Sequence, residues 1–215
     1  MSDLYTFSLV LLILVNLLVS GASRLRYCIN CVAFQGILVG IVPLLQSTHH
    51  DLSALLLAVA VSLIKGVLLP VLLVNVLRRA EINREVEPFI SFSVSLLISA
   101  ALLATAIVVC RHLPAIPGAN PLALPTAIFT LFTGLLLIIS RRKALTQVIG
   151  FLMFENGIFL FGGALMAPHD LIVEFGVLLD VFVLVFVMGI AVFHISSEFN
   201  HIDTDQLNTL SDRDN

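Results

Sequence analysis

The chain has 215 residues, of which 59% are hydrophobic and 12% charged, with a mean hydropathy of +1.09. A soluble domain carries about 25% charged residues, so this composition excludes a soluble globular protein and points to a polytopic, all-helical membrane protein. The formal net charge of -3 comes mostly from an acidic C-terminal tail, and the absence of a basic patch argues against nucleic-acid binding.

Spans of about 18–25 apolar residues read as transmembrane helices. Seven are expected, at about 4–22, 28–46, 52–77, 89–110, 121–140, 144–166 and 171–194, followed by a polar tail, Ile195 to Asn215. The first is a retained helix rather than a signal peptide. Its leading segment holds Asp3 and no Lys or Arg, and Arg24 and Arg26 follow the apolar run, the reverse of a signal peptide's order.

The second span carries Cys28 and Cys31, a CxxC that invites a zinc or cluster reading. A four-thiolate site needs one more Cys than the chain owns, so these read as small residues packing in a helix. The six His lie at helix ends, in loops or in the tail and form no ligand pair within a helix, so no metal site is expected.

Lys65 lies in the middle of the third span, with Gly66 and Pro70 after it. A Pro inside a membrane helix frees a carbonyl and bends the axis, which suits a Lys that must reach a neighbouring helix. The fourth loop, His112 to Pro121, holds Pro114, Pro117, Gly118 and Pro121 and reads as the joint between two halves. The halves resemble each other. His50-Asp51-Leu52 recurs as His169-Asp170-Leu171, with Gln35 and Glu155 at similar distances before and Lys65 and Asp180 after. Such spacing suits a parallel repeat. The expected organisation is an N-terminal four-helix part (1–111), a three-helix part (112–194) and a cytoplasmic tail (195–215).

The sixth span places Glu155 beside Asn156 at its midpoint, with Gln147 two turns earlier as a supporting polar group. The seventh carries Glu174 near its outer end and Asp180 near its middle. A charge at the bilayer centre costs roughly 2.5–3.5 kcal/mol, so Lys65, Glu155 and Asp180 together would cost about 8–10 kcal/mol if lipid-facing. Lys65 is therefore expected to pair with Glu155 or Asp180 across helices. Such a pair can be a proton-carrying switch or a fixed clamp. No nucleophile elbow, phosphate loop or metal motif is present, and no catalytic residue is expected.

Orientation follows from the loops. Arg24, Arg26, Arg78, Arg79, Arg84, Arg141, Arg142, Lys143 and Arg213 lie in the odd loops and the tail, whereas the even loops hold only Arg111. This asymmetry predicts an external N-terminus and a cytoplasmic C-terminus.

From about residue 121 onward the chain resembles the three-helix K-type membrane subunit of respiratory complex I. The shared run is Ser140-Arg141-Arg142-Lys143, Ile149-Gly150, Glu155 and Met188-Gly189-Ile190-Ala191. The K-type acids would fall at Leu152 and Val185, whereas here they stand at Glu155 and Asp180. Over nearly its whole length the chain resembles hydrogenase-4 component E, the extended K-like subunit of formate hydrogenlyase-type complexes. The landmarks are Lys65 with Pro70, Gln147, Gly150, Glu155-Asn156-Gly157, Glu174-Phe175-Gly176 with Asp180, and the tail from Asp203 to Leu210.

The resemblance implies a non-catalytic subunit of an energy-converting, proton- or sodium-translocating NiFe hydrogenase in a prokaryotic inner membrane. Lys65, Glu155, Asp180 and Glu174 would then serve the ion path, with Gln147 and Asn156 as support. Nickel, iron and iron–sulfur clusters would belong to partner subunits and none to this chain. The partners implied are antiporter-like and quinone-site-like membrane subunits and a peripheral hydrogenase arm. A scaffold of the same complex and a C-type subunit of a multi-subunit cation/proton antiporter are the alternatives.

Overall fold

A computed structural model describes residues 2–46, 52–79, 89–114, 119–165 and six positions of the last span (181, 183–185, 187 and 189). Its elements are α1 (Ser2–Ser20), α2 (Leu25–Gln46), α3 (Leu52–Leu63), a π-helical turn (Ile64–Leu68), α4 (Leu69–Arg79), α5 (Phe92–His112), α6 (Ala123–Ser140) and α7 (Ala144–Ala164). In hydrocarbon every backbone N–H and C=O needs an internal partner, which a helix supplies from its own chain. Among the described residues six helices are long and apolar enough to cross a membrane, α3, the π-turn and α4 together contributing one of them. The six described positions of the seventh span are helical as well.

Several ends differ from the hydropathy reading, for local reasons. The fourth helix begins at Phe92 rather than near 89, because Ser91 caps it by accepting a hydrogen bond from Val94 N–H at 3.3 Å. The fifth begins at Ala123 rather than 121. Asn120 Oδ1 accepts from Leu122 N–H at 2.9 Å and Asn120 C=O from Ala123 N–H at 3.0 Å, which turns the chain just before the helix. The second starts three residues early, at Leu25, with the Arg24 carbonyl accepting from Cys28 N–H.

α6 and α7 form an antiparallel hairpin joined by 141–143. Their backbones touch where glycines face each other. A Cβ on Gly150 would stand 2.9 Å from the Gly134 carbonyl, and one on Gly157 2.8 Å from Leu131 Cα. Small residues give this close approach between membrane helices, where packing rather than water drives association. α1 and α2 form a second hairpin, which packs on the first through α1–α6 and α2–α7 contacts. The two hairpins run parallel. Thr6–Asn120 and Asn16–Thr130 are bonded at a constant offset of 114 residues. Ser20–Arg141 and Gln35–Asn156 are bonded at a constant offset of 121. The third span packs along α2, and α5 packs on α6 and α1.

Two hydrophobic cores result. One gathers Val19, Leu25, Ile29, Leu73, Leu145 and Ile149, near the loops that carry Arg24 and Arg142. The other gathers Leu9, Leu12, Val39, Ala127, Phe159 and Leu160 toward the opposite end. The segments between them carry the buried polar residues Asn16, Gln35, Lys65, Thr130, Glu155 and Asn156.

Candidate functional site

The site is this polar layer between two apolar cores. Lys65 Nζ donates to Glu155 Oε1, and the pair's side chains are 3% and 1% exposed. Glu155 is therefore the cross-helix partner that the cost of a lone ammonium calls for. It stands half-way along α7, about 17 Å from Ala144 at 1.5 Å per residue. The two residues are 90 positions apart in the chain.

The π-turn sets the position of Lys65. Leu69 N–H reaches back to the Ile64 carbonyl, five residues away, and Pro70 supplies no N–H to continue an α ladder. The widened turn buries Lys65 and Gly66 together against α2. A Cβ on Gly36 would stand 2.8 Å from the Lys65 carbonyl oxygen and 2.9 Å from Lys65 Cβ. The bend expected at Pro70 is thus a π-helical turn, a form that recurs at functional sites.

Beside the ion pair runs a ladder of amides. Asn156 Nδ2 donates to Gln35 Oε1 at 3.4 Å, Gln35 Nε2 to Asn16 Oδ1 at 2.9 Å, and Asn16 Nδ2 to Thr130 Oγ1 at 2.7 Å. Thr130 passes the chain on to the Thr126 carbonyl at 2.7 Å. Four different helices contribute, and every bond runs in the same donor-to-acceptor sense.

The layer connects to the basic end through Ser20, whose hydroxyl donates to the Asn16 carbonyl at 2.9 Å and accepts from Ser99 Oγ at 2.8 Å. Above it lies Arg141, which the sequence places in a basic loop as an orientation signal. It is 1% exposed. Its Nη2 donates to the Ser20 carbonyl at 2.9 Å and more weakly to Ser95 Oγ at 3.5 Å, and its guanidinium lies 5.0 Å from the Phe92 ring centre. Burial draws its pKa below the ordinary arginine value, although a guanidinium stays charged in proteins.

Gln147 does not join the polar layer. Its Nε2 donates to the Arg141 carbonyl at 3.1 Å, so it closes the α6–α7 loop rather than supporting Glu155. Asn156 does join the layer, through Gln35. Asp180 and Glu174 lie outside the described residues. Cys28 and Cys31 are free thiols, and among the described residues no cluster of His, Cys, Asp and Glu could hold a metal.

Asn16, Thr130 and Arg141 are the members of the site that sequence reasoning missed. Asn16 carried a usable signal, being a lone amide deep in an apolar span. Thr130 carried none, because a membrane helix tolerates threonine anywhere, and Arg141, although part of the run that resembles the K-type subunit, reads as a topology signal because it follows a span.

The chain is similar over its length to "Uncharacterized protein Rv0085" of Mycobacterium tuberculosis (strain ATCC 25618 / H37Rv). The two are 32% identical over 204 residues, covering 94% of this chain and 93% of the relative. The chain belongs to that protein's family. No family profile and no solved structure matches it.

Proposed function

We propose that the chain is a non-catalytic membrane subunit of an energy-converting, complex I-like NiFe hydrogenase of the formate hydrogenlyase type, and that its Lys65–Glu155 pair forms part of the ion path. The observation that carries this reading is an ion pair buried at mid-depth between two apolar cores, with its lysine on a π-helical turn. Ionisable groups at membrane depth mark ion pathways and proton relays. A carboxylate that exchanges its proton changes the charge balance against a fixed ammonium, and so converts proton arrival into side-chain movement. Asp180 and Glu174 extend the path toward the last span, and the redox centres sit in partner subunits. The sequence resemblance supports the hydrogenase assignment and a prokaryotic cytoplasmic membrane, and the charge asymmetry of the loops supports an external N-terminus.

The near-complete burial of both partners also favours a second reading, in which the pair is a static clamp and the chain a scaffold. One experiment separates these. The tagged chain is purified from native membranes, its companions are identified, and Glu155→Gln is compared with the wild type in the reconstituted complex. Co-purification with a large NiFe subunit and loss of ion translocation with normal assembly is the expected result. Unchanged translocation in Glu155→Gln and Asp180→Asn supports the scaffold. Companions that are antiporter subunits, with no hydrogenase subunit among them, point to the C-type alternative.

A further inference from the structure

Arg141 is a buried cation that the ion path does not use. It lies in the connection between α6 and α7 and is 1% exposed. Its described partners are all neutral: the Ser20 carbonyl, the Ser95 hydroxyl and the Phe92 ring. Its Nη1 makes no hydrogen bond among the described residues, and neither does the buried Oγ of Ser140, the residue before it. An orphaned polar group in a buried place needs a reason, and an ion or a water is an ordinary one. Charge decides between the two. A guanidinium stays ionised in proteins, and a buried charge without compensation is strongly destabilising. A water satisfies an N–H but brings no charge. The other charged side chains described at this end, Arg24, Arg26, Arg78, Arg142 and Lys143, are all cations. The acids among the described residues lie elsewhere. Asp3 is at the far end of α1, about 25 Å from Ser20 at 1.5 Å per residue, and Glu155 is in the polar layer with Lys65.

We propose that Arg141 holds a small monovalent anion of the chloride class on its Nη1 edge. One positive charge calls for one negative charge, so a phosphate or sulfate dianion would leave a surplus. At 1% exposure the guanidinium presents no open face to a lipid headgroup or to a partner's carboxylate, whereas a single ion needs no chain leading to it. Hydrogen bonds from an ionised donor to an anion are the strong ones. The ion therefore ties the guanidinium into the corner where α6 and α7 meet Ser20 of α1 and Ser95 of α5. This site is separate from the Lys65–Glu155 pair and does not depend on the ion-path reading.

The test is equilibrium binding of radioactive chloride to the purified full chain in detergent. Melting temperature is read in parallel, in potassium chloride and in potassium gluconate at equal ionic strength. The wild type is expected to bind one chloride per chain saturably, and to melt about 2–4 °C higher in chloride than in gluconate. Arg141→Gln loses both effects. Arg142→Gln, which removes an exposed cation stacked on Phe89, keeps both. Where Arg141→Gln does not accumulate, Arg141→Lys carries the test. It keeps the charge but not the planar fork, and its chloride affinity falls about tenfold, the worth of one charged hydrogen bond. No saturable binding in the wild type overturns the site and leaves a water, or a carboxylate of the chain itself, beside Arg141. Undiminished binding in Arg141→Gln or in Arg141→Lys overturns it too, as does an equal loss in Arg142→Gln. Ion translocation does not enter the measurement, so failure here leaves the ion-path reading standing.

Discussion

Gly36 of α2 lies with its Cα against the backbone of Lys65: a methyl group there would stand 2.7 Å from the Lys65 carbonyl carbon. Backbone atoms cannot yield to such a contact as a flexible side chain does, so the π-turn sits at the depth that Gly36 permits. Gly36→Ala is expected to push the turn off α2 and weaken the Lys65–Glu155 pair. Overpacking of this kind costs about 1–3 kcal/mol. A lower melting temperature in detergent checks the prediction, and a fully wild-type melting profile contradicts it.

Lys65→Met should cost more than Gly36→Ala. Removing one member of a buried ion pair leaves the other uncompensated, at about 3–5 kcal/mol. The double variant Lys65→Met with Glu155→Gln should recover much of that loss, because the buried charge is gone as well. Membrane yield and thermal stability of the two single variants and the double variant form a cycle. Additive effects would mean that the two residues do not act as a pair.

Arg141→Ala removes a donor to the Ser20 carbonyl and a cation stacked on Phe92. A loss of about 2 kcal/mol is expected, from a charged hydrogen bond of about 1.5–3 kcal/mol and a cavity in a buried place. Arg141→Lys should recover little, since an ammonium cannot reproduce the planar fork. Thermal stability checks both, and full recovery by lysine would show that charge alone matters there.

Asn16→Leu leaves Gln35 Nε2 without its acceptor and Thr130 Oγ1 without its donor. Stranding buried polar groups costs about 1–3 kcal/mol each. The expected outcome is a less stable chain in which Gln35→Met, added to Asn16→Leu, costs less than it does alone. Equal costs in both backgrounds would show that the two amides are independent.

Topology is open to a direct check. Reporter fusions after Arg79 and Arg142 should read cytoplasmic, and one after Asp170 external. A reporter at Arg142 on the outside would reverse the orientation that the basic loops predict.

The sequence alone determined the class, the all-helical architecture and the approximate position of each described span, because the bilayer imposes a length and an apolarity that one-dimensional reading detects. It also singled out Lys65 and Glu155, since a lone charge at mid-depth is costly wherever the helix turns. Only the tertiary structure decided which partner each took. A span of 90 residues separates Lys65 from Glu155, and no local pattern encodes the π-turn and glycine contacts that bring them together. Gln147 shows the same limit. It lies two turns from Glu155 on one helix, yet bonds the Arg141 carbonyl, because helix position fixes a face and a depth but not the neighbour waiting there. Arg141 shows it from the other side. As a loop charge it reads as an orientation signal, and it is buried because α1 and α5 close over it with Ser20, Ser95 and Phe92, a packing that depends on helices distant in the chain.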